Sequence, residues 1–465
     1  MDTSINELQK SISSVAKALT DCNLKFTDIT AVLGSSFTLF KVKPIPGAKV
    51  SAFRKMEEEI SLGLGTQIRI VTMPESIGIE VPRKNRTPVL LHDCIGNETW
   101  SKEQESSLPI ILGEDVYKRL HIVDLATLPH LLVAGATKQG KTVFLRNLIM
   151  SLIWKKNPED LKFVLIDPKG TELPPFETLK NKYIATLPES NSEAKGGCIA
   201  TDVFRAEKML SALCLELEKR YELLSSAGVR DIKSYNTKLK DSHLPYIVCI
   251  CDEYADLIMG TDKARKNSIQ SSIIRLAQKG RAVGIHIVIS TQRPCYSVIS
   301  GVIKANFPAR AAFRVASRVD SSVILDCPGA EKLSGNGDML FSCGMDCERL
   351  QAPMIEKEEM DKAIADAASP DDTLGSGTPY YLPEVVCGEN ENMSNEPLCP
   401  DEPLYDAAMS LVVMTQSCSQ TMLQRKLGIG FVRAGRLVDL LIEKGVVVGK
   451  AGAYTVRKKS LESVD

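Results

Sequence analysis

The sequence predicts an α/β protein: a doubly covered α/β core, preceded by a small α+β domain and followed by a winged helix-turn-helix. Three observations predict it. Between residues 108 and 365, apolar β-branched runs without alternation (HLLVA, KFVLID, YIVCICD, IHIVIST) recur between helical stretches, the mark of parallel strands covered on both faces. From about Thr27 to Ile95 short segments alternate in the strand manner, and beyond residue 402 three short helical patterns precede two short strands.

Length and composition narrow the classes. A chain of 465 residues is too long for one core and suggests about three domains. With 44% hydrophobic and 25% charged residues and no apolar run long enough to span a bilayer, it is expected to be a soluble protein without direct membrane insertion. The N-terminal MDTSINELQKSISSVAKAL lacks the apolar centre of a signal peptide, so a cytoplasmic location is expected. Its helical spacing fits a solvated helix better than a partner-docking surface.

The thirteen cysteines are scattered, mostly in apolar contexts, where a reduced thiol acts as a small hydrophobe. Cys343 and Cys347 lack a second pair or a nearby histidine and so do not complete a zinc site. A net charge of −1 excludes a chain that binds nucleic acid by overall charge. Past Thr421, however, Arg425, Lys426, Arg433, Arg436 and Lys444 outweigh Asp439 and Glu443.

The elements follow in order. Residues 1–107 hold the first helix and the α+β domain: FTLFKVKPI, TQIRIVTM and SIGIEV are strands, SAFRKMEEEISLGLG is a helix, and Asn97–Ser107 is a polar connector. Residues 108–365 form the α/β core. Residues 366–402, rich in Pro, Gly, Asn and acid, are expected to be a linker. Residues 403–465 carry LYDAAMSLVVMTQ, SQTMLQRKLGI and FVRAGRLVDLLIEKGVV, then a hairpin about Lys450-Ala451-Gly452, the pattern of a winged helix.

The chemistry starts at GATKQGKTV, which fits G-x-x-x-x-G-K-[ST] between a strand and a helix, the context that makes this motif credible. Backbone N–H groups of the loop Gly135, Ala136, Thr137, Lys138, Gln139, Gly140, Lys141, Thr142 and Val143 would surround phosphates at a helix N-terminus. Lys141 would reach the β/γ oxygens and the Thr142 hydroxyl would ligate Mg2+. YIVCICDE then supplies Asp252 to hold the metal through water and Glu253 to polarise an attacking water, the pair expected of an enzyme that hydrolyses ATP. The bland alternative is that both acids cap the next helix. A third strand ends IVISTQRP, placing Gln292 where ligands of open α/β sheets bind, as a candidate γ-phosphate sensor.

These residues, with LPHLLVAGATKQGKTV, FVLIDPKGTEL, GVRDIKSYN, LPYIVCICDEYADL, LAQKGRAVGIHIVISTQRP and GAEKLSGNGDML in this order, resemble the FtsK/SpoIIIE DNA translocases. The resemblance covers nearly the whole chain: the N-terminal part is similar to the family's α subdomain, the centre to its RecA-like P-loop NTPase β subdomain, and the C-terminus to its γ winged helix. It implies a homo-oligomeric, hexameric ring around double-stranded DNA, with ATP and Mg2+ as cofactors, in a form without the family's membrane anchor. A recombinase or a membrane-anchoring partner would fit such a motor. It also implies an arginine finger from the neighbouring subunit, for which Arg281 is favoured and Arg314 stays open. Pore contacts are expected to go to phosphates, because a motor must cross any sequence. In the third C-terminal helix the resemblance assigns DNA binding to Arg433, Arg436 and Asp439. Val432 departs from the family's asparagine and cannot make a bidentate bond to a base.

Rival readings are a protein-moving motor of the same superfamily, a coupling ATPase of conjugative transfer that handles single strands, and a nucleotide-sensing winged-helix regulator. The single ATPase core and basic C-terminus favour DNA over protein cargo. Glu253 opposes the regulator, because a sensor needs no water-activating acid.

Overall fold

The computed structural model describes residues 2–188, 197–344, 346–369, 379–385, 405–427, 431–450 and 453–457. The chain divides into two compact units, Met1–Val385 and Val386–Asp465.

The first unit begins with a helix, Asp2–Asp21, and an antiparallel sheet of β1 (Phe26–Leu33), β2 (Phe37–Pro44), β3 (Arg69–Thr72) and β4 (Ile77–Pro82), in the order β1-β2-β4-β3. Val15 and Leu19 of the helix pack with Phe40, Val42 and Ile79 of the sheet, removing one face from water. The stretch expected to be one helix is two, Val50–Lys55 and Glu57–Leu64, divided at Met56. Glu57, Glu58 and Glu59 fill the first turn of the second, and acids favour a fresh helix N-terminus.

The core is built on a nine-stranded sheet. Its strands are β5 (Pro109–Glu114), β6 (Leu120–Asp124), β7 (Leu131–Ala134), β8 (Leu161–Ile166), β10 (Tyr246–Cys251), β11 (Ile285–Thr291), β12 (Ala309–Phe313), β13 (Asp338–Cys343) and β14 (Cys347–Gln351). β9 (Ala185–Thr186) lies outside it. The order is β6-β5-β14-β13-β12-β7-β11-β10-β8. β12, β7, β11, β10 and β8 are parallel, the RecA-like arrangement. The remaining four pairings are antiparallel, so the sheet is mixed where the sequence pattern predicts parallel strands. The reason is local: β5–β6 and β13–β14 are joined by short turns, and strands so joined pair antiparallel.

Alternate residues of β7 feed different cores. Leu131 and Val133 pack with Phe144 and Leu148 of the helix Lys141–Lys155; Leu132 and Ala134 pack with Met209 and Leu213 of Val203–Ala227. Helices therefore cover both faces. Arg349, nine-tenths or more buried, ties the N-terminal sheet to this core, with Nη1 at 2.6 Å from Glu80 and Nη2 at 2.6 Å from Asp338.

Parts of two stretches expected to be connectors belong to the fold, while 370–378 and 386–402 of the expected linker lie outside the described residues. Within Asn97–Ser107 a short helix, Glu98–Lys102, is capped by the Asn97 side chain and buries Trp100. The helix Lys357–Ala368 runs past residue 366. Beyond it β15 (Tyr380–Tyr381) pairs with β9, and Leu382 is buried. Trp100 finds the core from a polar stretch, and Leu382 reaches it with Tyr380 and Val385 packed alongside.

The second unit holds helices Tyr405–Thr415, Gln420–Leu427 and Phe431–Glu443, then β16 (Val447–Lys450) antiparallel to β17 (Ala453–Val456). Ala408, Val412, Leu423, Leu437 and Leu441 share one core. This is the winged-helix arrangement. Val432, Arg433, Arg436 and Asp439 fall on its third helix, and their side chains lie outside the described residues. No helix among the described residues is long and apolar enough to cross a membrane.

Candidate functional site

The phosphate loop leaves β7 at Gly135 and enters its helix at Lys141, with Gly140 as the N-cap. Both glycines are required by neighbours. A Cβ on Gly135 would lie 2.6 Å from Cβ of Phe313, and one on Gly140 would lie 2.7 Å from the Gly337 nitrogen. Gly140 also has φ +114°, a backbone region hostile to other residues. The loop is pinned from outside, as Ala136 N–H donates to Arg314 O at 2.9 Å and Gly337 N–H to Gln139 O at 3.0 Å. Thr137 and Lys138 are exposed, which explains why positions between the glycines tolerate large side chains.

Because β11 lies between β7 and β10, its end joins the two motifs. Lys141, 3% exposed, donates from Nζ to Asp252 Oδ1 at 2.6 Å and to Ser290 Oγ at 2.9 Å. Ser290 in turn donates to Asp252 Oδ1 at 2.7 Å. The ammonium is held at the helix N-terminus beside the loop, where positive charge serves an anionic ligand.

Glu253 is 1% exposed and has φ +55°, a left-handed conformation that costs about 1–3 kcal/mol in a non-glycine residue. It occupies the N-cap position of the helix Tyr254–Ile258, yet its side chain makes no capping bond. Its carboxylate instead accepts from Thr291 Oγ1 at 2.9 Å and from Gln292 N–H at 3.1 Å to each oxygen. That geometry sets the helix-capping alternative aside for Glu253. Gln292 Oε1 accepts from Thr137 Oγ1 at 2.8 Å, linking the third motif to the first.

A cavity of about 490 Å3 opens beside the loop, lined by Lys141, Thr142 and Gln292 on one side and by Val89, Pro353 and Met354 on the other. Val89 and Met354 are adjacent through the Met354 N–H bond to Val89 O at 2.9 Å. Lys141 and Thr142 beside apolar Val89, Pro353 and Met354, with Arg86 and Gln351 also in the lining, give a cavity with both charged and apolar surface, as a nucleotide requires. The Thr142 hydroxyl and Asp252 carboxylate are hard oxygen donors, the set that fits Mg2+.

The structure thus brings together Gly135–Val143, Asp252, Glu253 and Gln292. It does not bring Arg281 to them. Arg281 is exposed in the turn Gly280–Val283 before β11, and the length of that strand, about 20 Å, separates it from Gln292. Arg314, also exposed, follows β12 beside the phosphate loop. Sequence reasoning passed over Ser290 and Thr291, which sit in an apolar strand and acquire partners only through the strand order. It also passed over the apolar side of the cavity, where the sole signal was Pro88 and Pro353 beside buried residues.

The cysteines of YIVCICDE behave as expected of core thiols, burial pushing Cys249 up to about 12. Cys347 lies near Cys327, Sγ to Sγ 3.5 Å. Among the described residues Asp115, His121 and Glu348 have the spacing of metal ligands, but Arg119 already holds Asp115 at 2.6 Å.

Comparison with known proteins matches three parts of the chain. Residues 1–83 match the FtsK alpha domain, 90–296 the FtsK/SpoIIIE family and 400–458 the Ftsk gamma domain. The DNA translocase FtsK of Chlorobaculum tepidum is 38% identical over 436 residues, covering 91% of this chain and 53% of the relative. That of Caldanaerobacter subterraneus subsp. tengcongensis is 37% identical over 452 residues, covering 96% and 60%. The chain thus spans little more than half the length of these relatives. Among solved structures, the pCW3 conjugation coupling protein TcpA in its monomer form with ATPγS superposes with a TM-score of 0.54 at 23% identity, over 77% of this chain and all of that one. The cytoplasmic domain of the Thermomonospora curvata type VII secretion ATPase EccC gives 0.53 at 21%, over 64% and 36%. At these identities the two structures speak to the fold alone.

Proposed function

The chain belongs to the FtsK/SpoIIIE family, and from that premise we propose that it is an ATP- and Mg2+-dependent motor that moves double-stranded DNA. The observation that carries the enzymatic part is the joined constellation: Lys141 and Asp252 bridged by Ser290, with Glu253 beside them. Lys141 and the loop amides bind the β- and γ-phosphates, and Gln292 reads the terminal one through its link to Thr137. Thr142, and Asp252 through water, would hold Mg2+, which would supply charge neutralisation at the phosphates. Glu253 takes the proton of the attacking water.

The DNA part is supported by the relatives' names, by the gamma-domain match and by the basic residues Arg433 and Arg436 on the third helix of the second unit. A hexameric ring would give Arg281, which is exposed at the far end of β11 from Gln292, a role as arginine finger for a neighbouring subunit. Asp439 and the two arginines would contact DNA, with Val432 withdrawing one base-specific bond.

ATP turnover without DNA, with single strands and with long duplex tests the reading. Stimulation by duplex alone, lost in Lys141→Ala, is expected. Equal turnover in all three would overturn the DNA assignment, and stimulation by single strands alone would point to a conjugative coupling activity.

A further inference from the structure

The turn after β8 carries a side chain that the three motifs do not use. Asp167 is fully buried, and its carboxylate accepts four backbone N–H bonds: Lys169 at 3.2 Å and Gly170 at 3.0 Å on Oδ1, Glu172 at 2.8 Å and Leu173 at 3.0 Å on Oδ2. These bonds knot the chain tightly and fix where the Lys169 side chain starts. From there its Nζ lies 3.6 Å from Glu253 Oε2 and 3.4 Å from Asp256 Oδ2.

Glu253 therefore accepts hydrogen bonds from the Thr291 hydroxyl and the Gln292 amide and has the Lys169 ammonium as an ion-pair partner beside Oε2. A general base needs a lone pair directed at the proton it takes, and a cation 3.6 Å from Oε2 stands where it competes with water for that oxygen. Thr291 and Gln292 are fixed by β11. Lys169 is different, because its side chain is 42% exposed and a lysine ammonium is a mobile point charge that any phosphate can attract.

We propose that Lys169 restrains Glu253 and that a phosphate oxygen, drawing its ammonium away, releases the carboxylate for hydrolysis. The phosphate belongs either to the DNA backbone or to the nucleotide itself. The proposal rests on the reading of Glu253 as the base, and it makes Lys169 a positioning residue rather than a catalytic one.

The test is ATP turnover by the full chain, with and without long duplex, over a range of ATP concentrations, for wild type, Lys169→Ala, Lys169→Arg and Glu253→Gln. If the DNA backbone is the releasing phosphate, Lys169→Ala raises the DNA-free kcat about two- to fivefold, the worth of a partly exposed ion pair, and leaves the duplex-stimulated kcat in place. If the nucleotide is, the KM for ATP falls by the same factor at constant kcat. Lys169→Arg keeps wild-type constants in either case. Loss of turnover in equal proportion with and without DNA, or no change in kcat or KM, overturns the restraint while leaving the base assignment standing. Turnover surviving in Glu253→Gln overturns both.

Discussion

Lys141 Nζ and Asp252 Oδ1 lie 2.6 Å apart with both side chains excluded from water, so the lysine of the phosphate loop and the acid of the neighbouring motif form one buried pair. Removing one partner of such a pair costs about 3–5 kcal/mol, because the other charge is left uncompensated. Lys141→Met should destabilise the first unit by that amount in chemical denaturation. Adding Asp252→Asn should recover part of the stability and none of the ATP turnover. A double variant no more stable than the single one would show that the pair is not the source of the loss.

Gly140 tests the loop itself. With φ +114° and Gly337 backbone 2.7 Å from where a Cβ would stand, Gly140→Ala should weaken ATP binding roughly 10- to 100-fold, the equivalent of the strain such a residue stores. Gly301→Ala is the control, since nothing lies within 4 Å of its added methyl. Equilibrium titration of a fluorescent ATP analogue reads both.

Legibility in the sequence followed locality. The phosphate loop was readable because strand, loop and helix are consecutive, and Asp252 and Glu253 because they end an unmistakable buried strand. The four antiparallel neighbours were not, because β14 (CERLQ) is half polar and gains its place only by pairing with β13 and β5. Trp100 was hidden for a related reason, being one apolar residue in a polar stretch, and Leu382 because its short apolar run is set within a segment rich in Pro, Gly, Asn and acid. Ser290, Thr291 and Lys169 owe their positions near the site to contacts across 38 to 84 residues of chain, the last from Lys169 to Glu253.

Arg349 is the test of the joint between the N-terminal sheet and the core. Its guanidinium holds Asp338 and Glu80 and stacks 4.1 Å from the centre of the Phe37 ring. Arg349→Leu leaves two buried carboxylates without this partner, and should cost about 3–5 kcal/mol. Amide exchange should then speed up first in β4 and β13, the strands carrying those acids.

His121 gives a pH signature. The hydrogen bond that the His121 ring donates to Glu348 is the largest influence and, with Asp115, it holds the imidazole above its ordinary value against the effect of burial. A raised folded-state value stabilises fully below the unfolded value of about 6.5 and ceases to do so as pH climbs through the folded one. His121→Asn should therefore lower the melting temperature more at pH 6 than at pH 9. An equal loss at both pH values would assign His121 a packing role only.

Movement along DNA is the central claim, and displacement of a third strand from a long duplex measures it directly. With ATP and Mg2+, the wild-type chain should strip a triplex-forming oligonucleotide placed at the far end of the duplex. Lys141→Ala and Glu253→Gln should leave it bound. Hydrolysis stimulated by duplex with the third strand left in place under all conditions would contradict the account, reducing the protein to a DNA-activated ATPase that does not travel.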